Sequence, residues 1–359
     1  MKCCEYCFKD VEIKAIIRGQ NQKGQCDFCA KNNVYVVDID TNTEIKDHFE
    51  RLIDVYSSEI EMPDGFPREK VDLLKNILST NWNIFNLEPN YIYRFLINLL
   101  SEKYAAQPEL FDRPVGIFEM IDDDYLQQYS ILGKYQWKDF VKEIKEKNHE
   151  LHGMVLFGAA VLSKLLQFSF KKYKKGTSFY RARICKDEVG FEKNEMGSPP
   201  SNKASSGRAN PEGISCLYLS NSIDTTLYEI RAGAYDYVTV GEFVLQKDIE
   251  VVNLSDIDKL SPFIVPDINL IAANIVHLNN ISADIARPLR RHDSSLDYLP
   301  TQYICDYIKS QEFAGVEFRS TIYNSGINYA IFDETFFECT QTMVYDIKSI
   351  KYDYDLLHD

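Results

Sequence analysis

Two cysteine pairs near the start of the chain set the tightest limit on what it can fold into. Cys4-x-x-Cys7 and Cys26-x-x-Cys29 stand eighteen residues apart, a spacing that lets two short knuckles place four thiolates around one tetrahedral ion. Residues 1–37 have too few apolar side chains to fold by burial alone, so this segment needs such a staple. Zinc suits it, having no d-electron geometry preference and enough softness for sulfur. Cys3 adjoins Cys4, and only one of them can close the two-residue loop with Cys7, so Cys3 is expected to be spare. The plainer alternative is a flexible tail of free thiols. Residues 1–35 carry six basic and four acidic side chains, and four thiolates with one Zn²⁺ add −2, leaving about zero charge. That balance favours a structural or protein-contacting role. Lys23-Gly24 is the expected turn between the two knuckles.

Five of the nine cysteines fall within the first 29 residues, and the number is odd. This distribution points to a metal site in a reducing compartment rather than to a disulfide framework. Cys185, Cys216, Cys305 and Cys339 stand singly and read as small buried hydrophobes. The 359 residues are 45% hydrophobic, enough for a buried core in two ordinary domains or one large one. Forty Lys and Arg against 54 Asp and Glu give a net charge of −14, so nucleic acid is not an expected partner. Met1 to Glu5 lack the apolar stretch expected of a signal peptide, and the apolar run from Gly153 to Leu162 is too short to cross a bilayer. A cytoplasmic protein with no membrane partner is expected.

Beyond the cysteine segment the periodicity changes once. From residue 38 to about 170 the spacing is helical, as in Ile45, Phe49, Leu52, Ile53 and Tyr56, then Val71, Leu74, Ile77 and Leu78, then Ile92, Phe95, Leu96 and Leu99. From residue 171 to 359 strand-like runs take over, at Ser178 to Ile184, Cys216 to Ser220, Tyr237 to Leu245, Val316 to Tyr323 and Tyr329 to Asp333, with short helices between them. The mixture predicts an α+β domain. Asn194 to Gly213 is too rich in Gly, Ser, Pro and Asn for either element, and a loop that long inside a domain is usually functional or disordered.

Four positions in this last segment carry candidate chemistry. Arg181 and Arg183 share a face of their strand, where two guanidinium groups suit a phosphate or carboxylate; surface ion pairing is the alternative. Ser222 is a plausible N-cap for a helix with Ile223, Leu227 and Ile230 on its apolar stripe. Glu229 lies away from the centre of that stripe and could support a developing positive charge, or simply pair with a Lys or Arg. Ser320 interrupts the row Val316, Phe318, Ser320 and Ile322, although the backbone alone could satisfy it. There is no G-x-S-x-G elbow, and His277 and His292 bear no recognisable relation to Ser320, so a serine hydrolase is excluded.

In this order, Arg181 in FYRAR, Glu229 in LYLSNSIDTTLYEIRAG and Ser320 in GVEFRS resemble the Arg, Glu and Ser that name the RES domain. The loop SSGRANPEG, Tyr218 eleven residues before Glu229, YLPTQ at Tyr298 to Gln302, and SGINYAIF fit the same pattern over about residues 175 to 335. The chain departs at Ala209, where many members carry Trp. The N-terminal part is similar to the HEPN-like extension of some RES proteins. It lacks the R-x4–6-H pair of catalytic HEPN ribonucleases; Arg287 to His292 has the spacing but lies in the last segment.

The resemblance implies an ADP-ribosyltransferase-like mixed β core in residues 171–359, preceded by a zinc-binding module (1–37) and a helical domain (38–170). It implies cleavage of the nicotinamide–ribose bond of NAD⁺, by a glycohydrolase or phosphorylase serving as the toxin of a toxin–antitoxin or anti-phage system. Glu229 would orient the ribose and stabilise positive charge, Arg181 grip diphosphate or ribose oxygens, Tyr218 wall the nicotinamide, and Ser320 bond to the ribose or its neighbours. Arg183, Arg208 and Asn210 would help to hold the dinucleotide. An antitoxin or regulatory protein and a second copy of the chain are the partners to consider. The alternatives are a protein mono-ADP-ribosyltransferase and a non-catalytic zinc and helical interaction protein. The last would gain if Glu229 and Ser320 stood more than ~10 Å apart, beyond reach of one ligand.

Overall fold

The computed structural model describes residues 1–146, 155–287, 294–323 and 325–351. His292 and the start of the apolar run at Gly153 lie outside the described residues. The chain divides into two compact units. Among the described residues no helix is long and apolar enough to cross a membrane.

The first unit comprises Met1–Asp139, Leu151–Phe168 and Ile257–Asn280. It opens with a three-stranded sheet of β1 (Lys2–Cys4), β2 (Lys23–Gly24) and β3 (Val34–Asp38), in the order β1-β3-β2. Lys23-Gly24 is therefore a strand and not the expected turn. The chain reverses just before it, at Asn21 with φ 48°, because Asn tolerates the left-handed region better than most residues. The helix Val11–Gly19 is capped by Asp10, whose carboxylate accepts from the N–H groups of Glu12 and Ile13 at 3.0 Å. Helices Thr43–Ile53, Leu74–Thr80 and Pro89–Leu99 bury the faces their spacing predicts, except that Tyr56 and Val71 fall outside the helices. Phe8 stacks among Phe49, Phe85 and Phe95, with ring centroids 5.1 to 6.5 Å apart, so the cysteine segment shares an aromatic core with these helices. A second sheet of β4 (Ser57–Ser58), β5 (Asp72–Leu73) and β6 (Pro114–Gly116) has strands too short to give a period in sequence.

The second unit comprises Phe140–Glu150, Ser169–Asp256 and Ile281–Asp359. It is built on an eight-stranded mixed sheet: β7 (Phe170–Tyr173), β8 (Ser178–Cys185), β9 (Leu217–Ser220), β10 (Tyr237–Leu245), β11 (Ile249–Asn253), β12 (Gly315–Arg319), β13 (Ile327–Ile331) and β14 (Phe337–Asp346), in the order β14-β10-β8-β9-β13-β12-β11-β7. Among the described residues only β11 and β12 of this sheet run parallel. With its short helices the domain is α+β. Phe179, Leu217, Leu219, Phe243, Tyr329 and Phe337 fill the core on one face. On that face the fully buried Glu317 accepts hydrogen bonds from Lys171 and Tyr173, which fastens edge strand β7. On the other face the helix Ile223–Glu229, capped by Ser222, lays Ile223, Leu227 and Ile230 against Ala182, Val238 and Val240.

One break in this sheet positions everything that follows. Strands β8 and β9 meet at a single residue pair, Tyr180 opposite Ser220. Continuing that antiparallel register would set Ala182 opposite Tyr218, and there the strands part. The Ala182 N–H donates instead to Thr226 Oγ1 at 2.9 Å, and the Tyr218 carbonyl accepts from Arg181 at 3.2 Å. Buried backbone groups need partners, so two side chains replace the missing ladder and hold the strands apart.

The cysteine cluster completes the first unit. Sγ of Cys4 lies 3.7 Å from that of Cys7 and 3.4 Å from that of Cys29, and Cys7 lies 3.5 Å from Cys26. Tetrahedral ligands at a Zn–S bond of about 2.3 Å stand about 3.8 Å apart, so the donor set fits zinc. All four sulfurs fall within 4.8 Å of one another, and Cys3 is outside the set. Bonding to Cys26 and then Cys7 pushes the Cys4 thiol up, while Cys26, accepting from Cys3, Cys4 and Cys7, moves down. A cation would let all four ionise together. Elemental analysis of the purified protein should give one zinc per chain, and the Cys26→Ser, Cys29→Ser double variant should lose the metal and melt at a lower temperature. A metal-free wild-type protein with unchanged melting would refute the site.

Candidate active site

Where β8 and β9 part, a cavity of about 320 Å³ opens, lined among others by Arg181, Arg208, Tyr218, Glu229, Phe318 and Asn328. Glu229 is the last residue of its helix, where the helix dipole disfavours an anion. Its carboxylate is therefore not there for the helix. Oε1 accepts from Ser320 Oγ and from Asn328 Nδ2, both at 2.7 Å. Oε2 faces Arg208, whose guanidinium nitrogen is 3.6 Å away.

Arg181 is a partly buried cation. Its Nε has no hydrogen-bond partner, and among the described residues it makes no ion pair. Burial first, and then the charge of Arg183, lowers its pKa from the ordinary arginine value, which expresses how poorly this charge is solvated. A guanidinium with a buried, unsatisfied Nε at a cavity wall is prepared for an anionic or oxygen-rich ligand. Arg183 points elsewhere: it donates to the Glu195 carbonyl and lies 4.1 Å from the Phe191 ring centroid.

The loop from Asn194 to Gly213 is pinned from several sides. Gln302 Nε2 lies within hydrogen-bond distance of Ser206 Oγ and of the Gly207 and Asn210 carbonyls, at 2.8 to 2.9 Å. Thr301 donates to the Arg208 carbonyl at 2.7 Å. Asn210 Nδ2 reaches the carbonyls of Ser205, Pro211 and Ile214, and its Oδ1 accepts from Tyr218 OH at 2.7 Å. The same phenol accepts from the Ala209 N–H at 3.0 Å, and burial raises its pKa well above the ordinary value, so it stays a donor. Gly207 is required at this junction, since a Cβ would stand 2.5 Å from Tyr218 OH and 2.6 Å from Asn210 Oδ1.

Of the residues singled out from sequence, Arg181, Tyr218, Glu229 and Arg208 meet at the cavity. Ser320 lies outside its lining and reaches Glu229 from the side. It also lies outside the strand expected for it, because β12 ends at Arg319 and Ser320 Oγ accepts from the N–H groups of Ile322 and Tyr323 in the following turn. Asn210 holds the loop, and Arg183 is turned away. Cys4, Cys7, Cys26 and Cys29 belong to the first unit. Asn328, Tyr298 and Gln302 were not singled out individually. The signal for Asn328 was present, as a polar residue on the row it shares with Ala330 in a buried strand.

No curated protein matches the sequence. A solved structure of the M. tuberculosis MbcT-MbcA toxin–antitoxin complex shows a likeness with 14% sequence identity and a TM-score of 0.33, covering 52% of this chain and 92% of that one. The sequence pattern of the RES domain matches residues 178–355, a stretch that includes β8, the pinned loop, Glu229 and Ser320. The chain is a RES-domain protein.

Proposed function

We propose that this cavity cleaves the nicotinamide–ribose bond of NAD⁺. The observation that carries the reading is a carboxylate with one oxygen held by neutral donors and the other turned toward a cavity that also contains Arg181 and Arg208. Departure of nicotinamide leaves an oxocarbenium-like ribose, as in glycoside hydrolysis. Nicotinamide leaves as a neutral molecule, so no general acid is needed and one carboxylate suffices. In this reading Glu229 Oε2 accepts from a ribose hydroxyl and stabilises the developing positive charge. Arg181 and Arg208 meet the diphosphate or ribose oxygens, and the Tyr218 ring walls the nicotinamide. Ser320 works through Glu229, which it touches at 2.7 Å; this contact speaks against a non-catalytic interaction protein. At about 320 Å³ the cavity is at the small end for ligand sites and suits nicotinamide and its ribose better than a whole dinucleotide.

The acceptor is water for a glycohydrolase or phosphate for a phosphorylase. Residues 171–359 carry the chemistry in this reading, with 1–37 and 38–170 as its structural and regulatory extensions. Membership of the RES family supports the further proposal of a cytoplasmic toxin, restrained by an antitoxin or regulatory protein in a toxin–antitoxin or anti-phage system. Incubation of the purified protein with NAD⁺, with and without phosphate, should release nicotinamide and identify the acceptor from the second product. Label fixed to protein instead would indicate mono-ADP-ribosylation, and no nicotinamide at all would end the proposal.

Glu229→Gln should preserve NAD⁺ binding and lower turnover by about 10²-fold or more. A glutamine oxygen can still accept from Ser320 and Asn328, which places its NH₂ where Oε2 stood, so a donor replaces the acceptor. Unchanged turnover would remove Glu229 from the mechanism. Lys in place of Arg keeps the charge and loses the fork, so Arg181→Lys should cut turnover by at least about tenfold, whereas Arg183→Lys, away from the cavity, should cost less than about threefold. Equal effects of the two would contradict the placement of Arg181.

A further inference from the structure

Asn328 stands between Ser220 and Glu229. It pairs in register with Ser220 across β13 and β9, and both side chains are buried. Ser220 Oγ donates to Asn328 Oδ1 at 2.8 Å, and Asn328 Nδ2 donates to Glu229 Oε1 at 2.7 Å. The polarity of this chain is fixed at one end. An ionised carboxylate only accepts, so the amide must present its NH₂ to Glu229 and its oxygen to Ser220, and the serine must then donate.

We infer that Asn328 is a positioning residue for Glu229, aimed in turn by Ser220, and that the pair settles which carboxylate oxygen meets the substrate. The inference rests on the reading of the cavity as an NAD⁺-cleaving site. Both hydrogen bonds to the carboxylate arrive at Oε1, from Asn328 on β13 and from Ser320 at the turn after β12. Among the described residues no hydrogen bond reaches Oε2; Arg208, the charged group that faces it, stands 3.6 Å away. Two donors on one oxygen stop rotation about the last bond of the side chain and leave the other oxygen without a hydrogen bond, facing Arg208. Both donors are neutral, which matters for the chemistry. A lysine at the Asn328 position would add a second cation beside a carboxylate that Arg208 already faces, and would weaken further the negative charge on which the oxocarbenium-like state depends. An amide aims the charge without cancelling it.

The test exchanges the donor for a second carboxylate. In Asn328→Asp two carboxylates face each other at hydrogen-bond distance, and such pairs hold one proton to higher pH than either alone. With that proton present the side chain can donate to Glu229 again. Turnover of NAD⁺ by the variant should be about 10²-fold below wild type at about pH 8 and recover toward about pH 5, with KM within about threefold. Asn328→Ala should be slow at every pH, and Ser220→Ala, which leaves Glu229 untouched, should lower kcat several-fold without moving KM. A variant without this acid recovery, or with wild-type kcat at every pH, would overturn the inference.

A second measurement separates this inference from the reading it rests on. The melting temperature of Asn328→Asp should fall relative to wild type as pH rises from about 5 to about 8, and adding Glu229→Gln should abolish that dependence. If wild-type protein releases no nicotinamide, the NAD⁺ reading fails, and the melting series alone decides whether Asn328 holds Glu229. Melting that is insensitive to pH in both variants would refute the contact whatever the activity shows.

Discussion

The single residue pair that joins β8 to β9 determines the shape of the second unit. A fully paired ladder would close the sheet there and leave no room between Arg181 and Tyr218. The opening persists because each backbone group left over has a substitute: a threonine hydroxyl from the helix Ile223–Glu229 for one, an arginine for the other. Thr226 thereby ties that helix, and with it Glu229, to the gap. Arg181 serves two purposes at once, since one of its nitrogens props the strand while its Nε remains without a partner. A partly buried cation with an unsatisfied donor is costly, and such cost is commonly carried at functional sites.

The site divides its labour between charged and neutral groups. Charge enters through Arg181, Arg208 and Glu229, whereas orientation comes from Ser320, Asn328, Thr301 and Gln302, none of which carries charge. Neutral hydrogen bonds fix geometry without altering the field at the reacting bond, as electrostatic preorganisation requires. Arg208 gains its place in the same way: the Thr301 hydroxyl holds its carbonyl, and the side chain crosses the Phe318 ring at 5.3 Å.

Much of this was legible in the sequence, for physical reasons. Paired Cys-x-x-Cys spacing works because a tetrahedral ion accepts few geometries, and the helix Pro89–Leu99 announced itself through Ile92, Phe95, Leu96 and Leu99. β10 was read at its observed ends because its apolar run is long. Short elements escaped. β4, β5 and β6 have two or three residues each, below any period, and Lys23-Gly24 looked like a turn although neighbouring Asn21 makes it. Ser320 was found for an imperfect reason: the row it was thought to interrupt ends one residue earlier, and the buried polar interruption is Asn328, one strand over. The contacts made by Gln302 join residues more than ninety positions apart, and periodicity holds no information about such pairs.

The way the glycine- and serine-rich loop is fastened governs how it can move. A loop of that composition would ordinarily open residue by residue, its amides exchanging with solvent in fractions of the time that strand amides need. Here Tyr218, on a central strand, holds the Ala209 N–H and the Asn210 side chain together, and Gln302, on the helix Leu299–Ser310, contacts the carbonyls of Gly207 and Asn210. Residues 206–210 as a whole cannot lift without breaking bonds to both, and Asn210 is held by each of them. Opening of the segment as a unit is therefore a concerted event, in which its bonds to the central strand and to the helix break together.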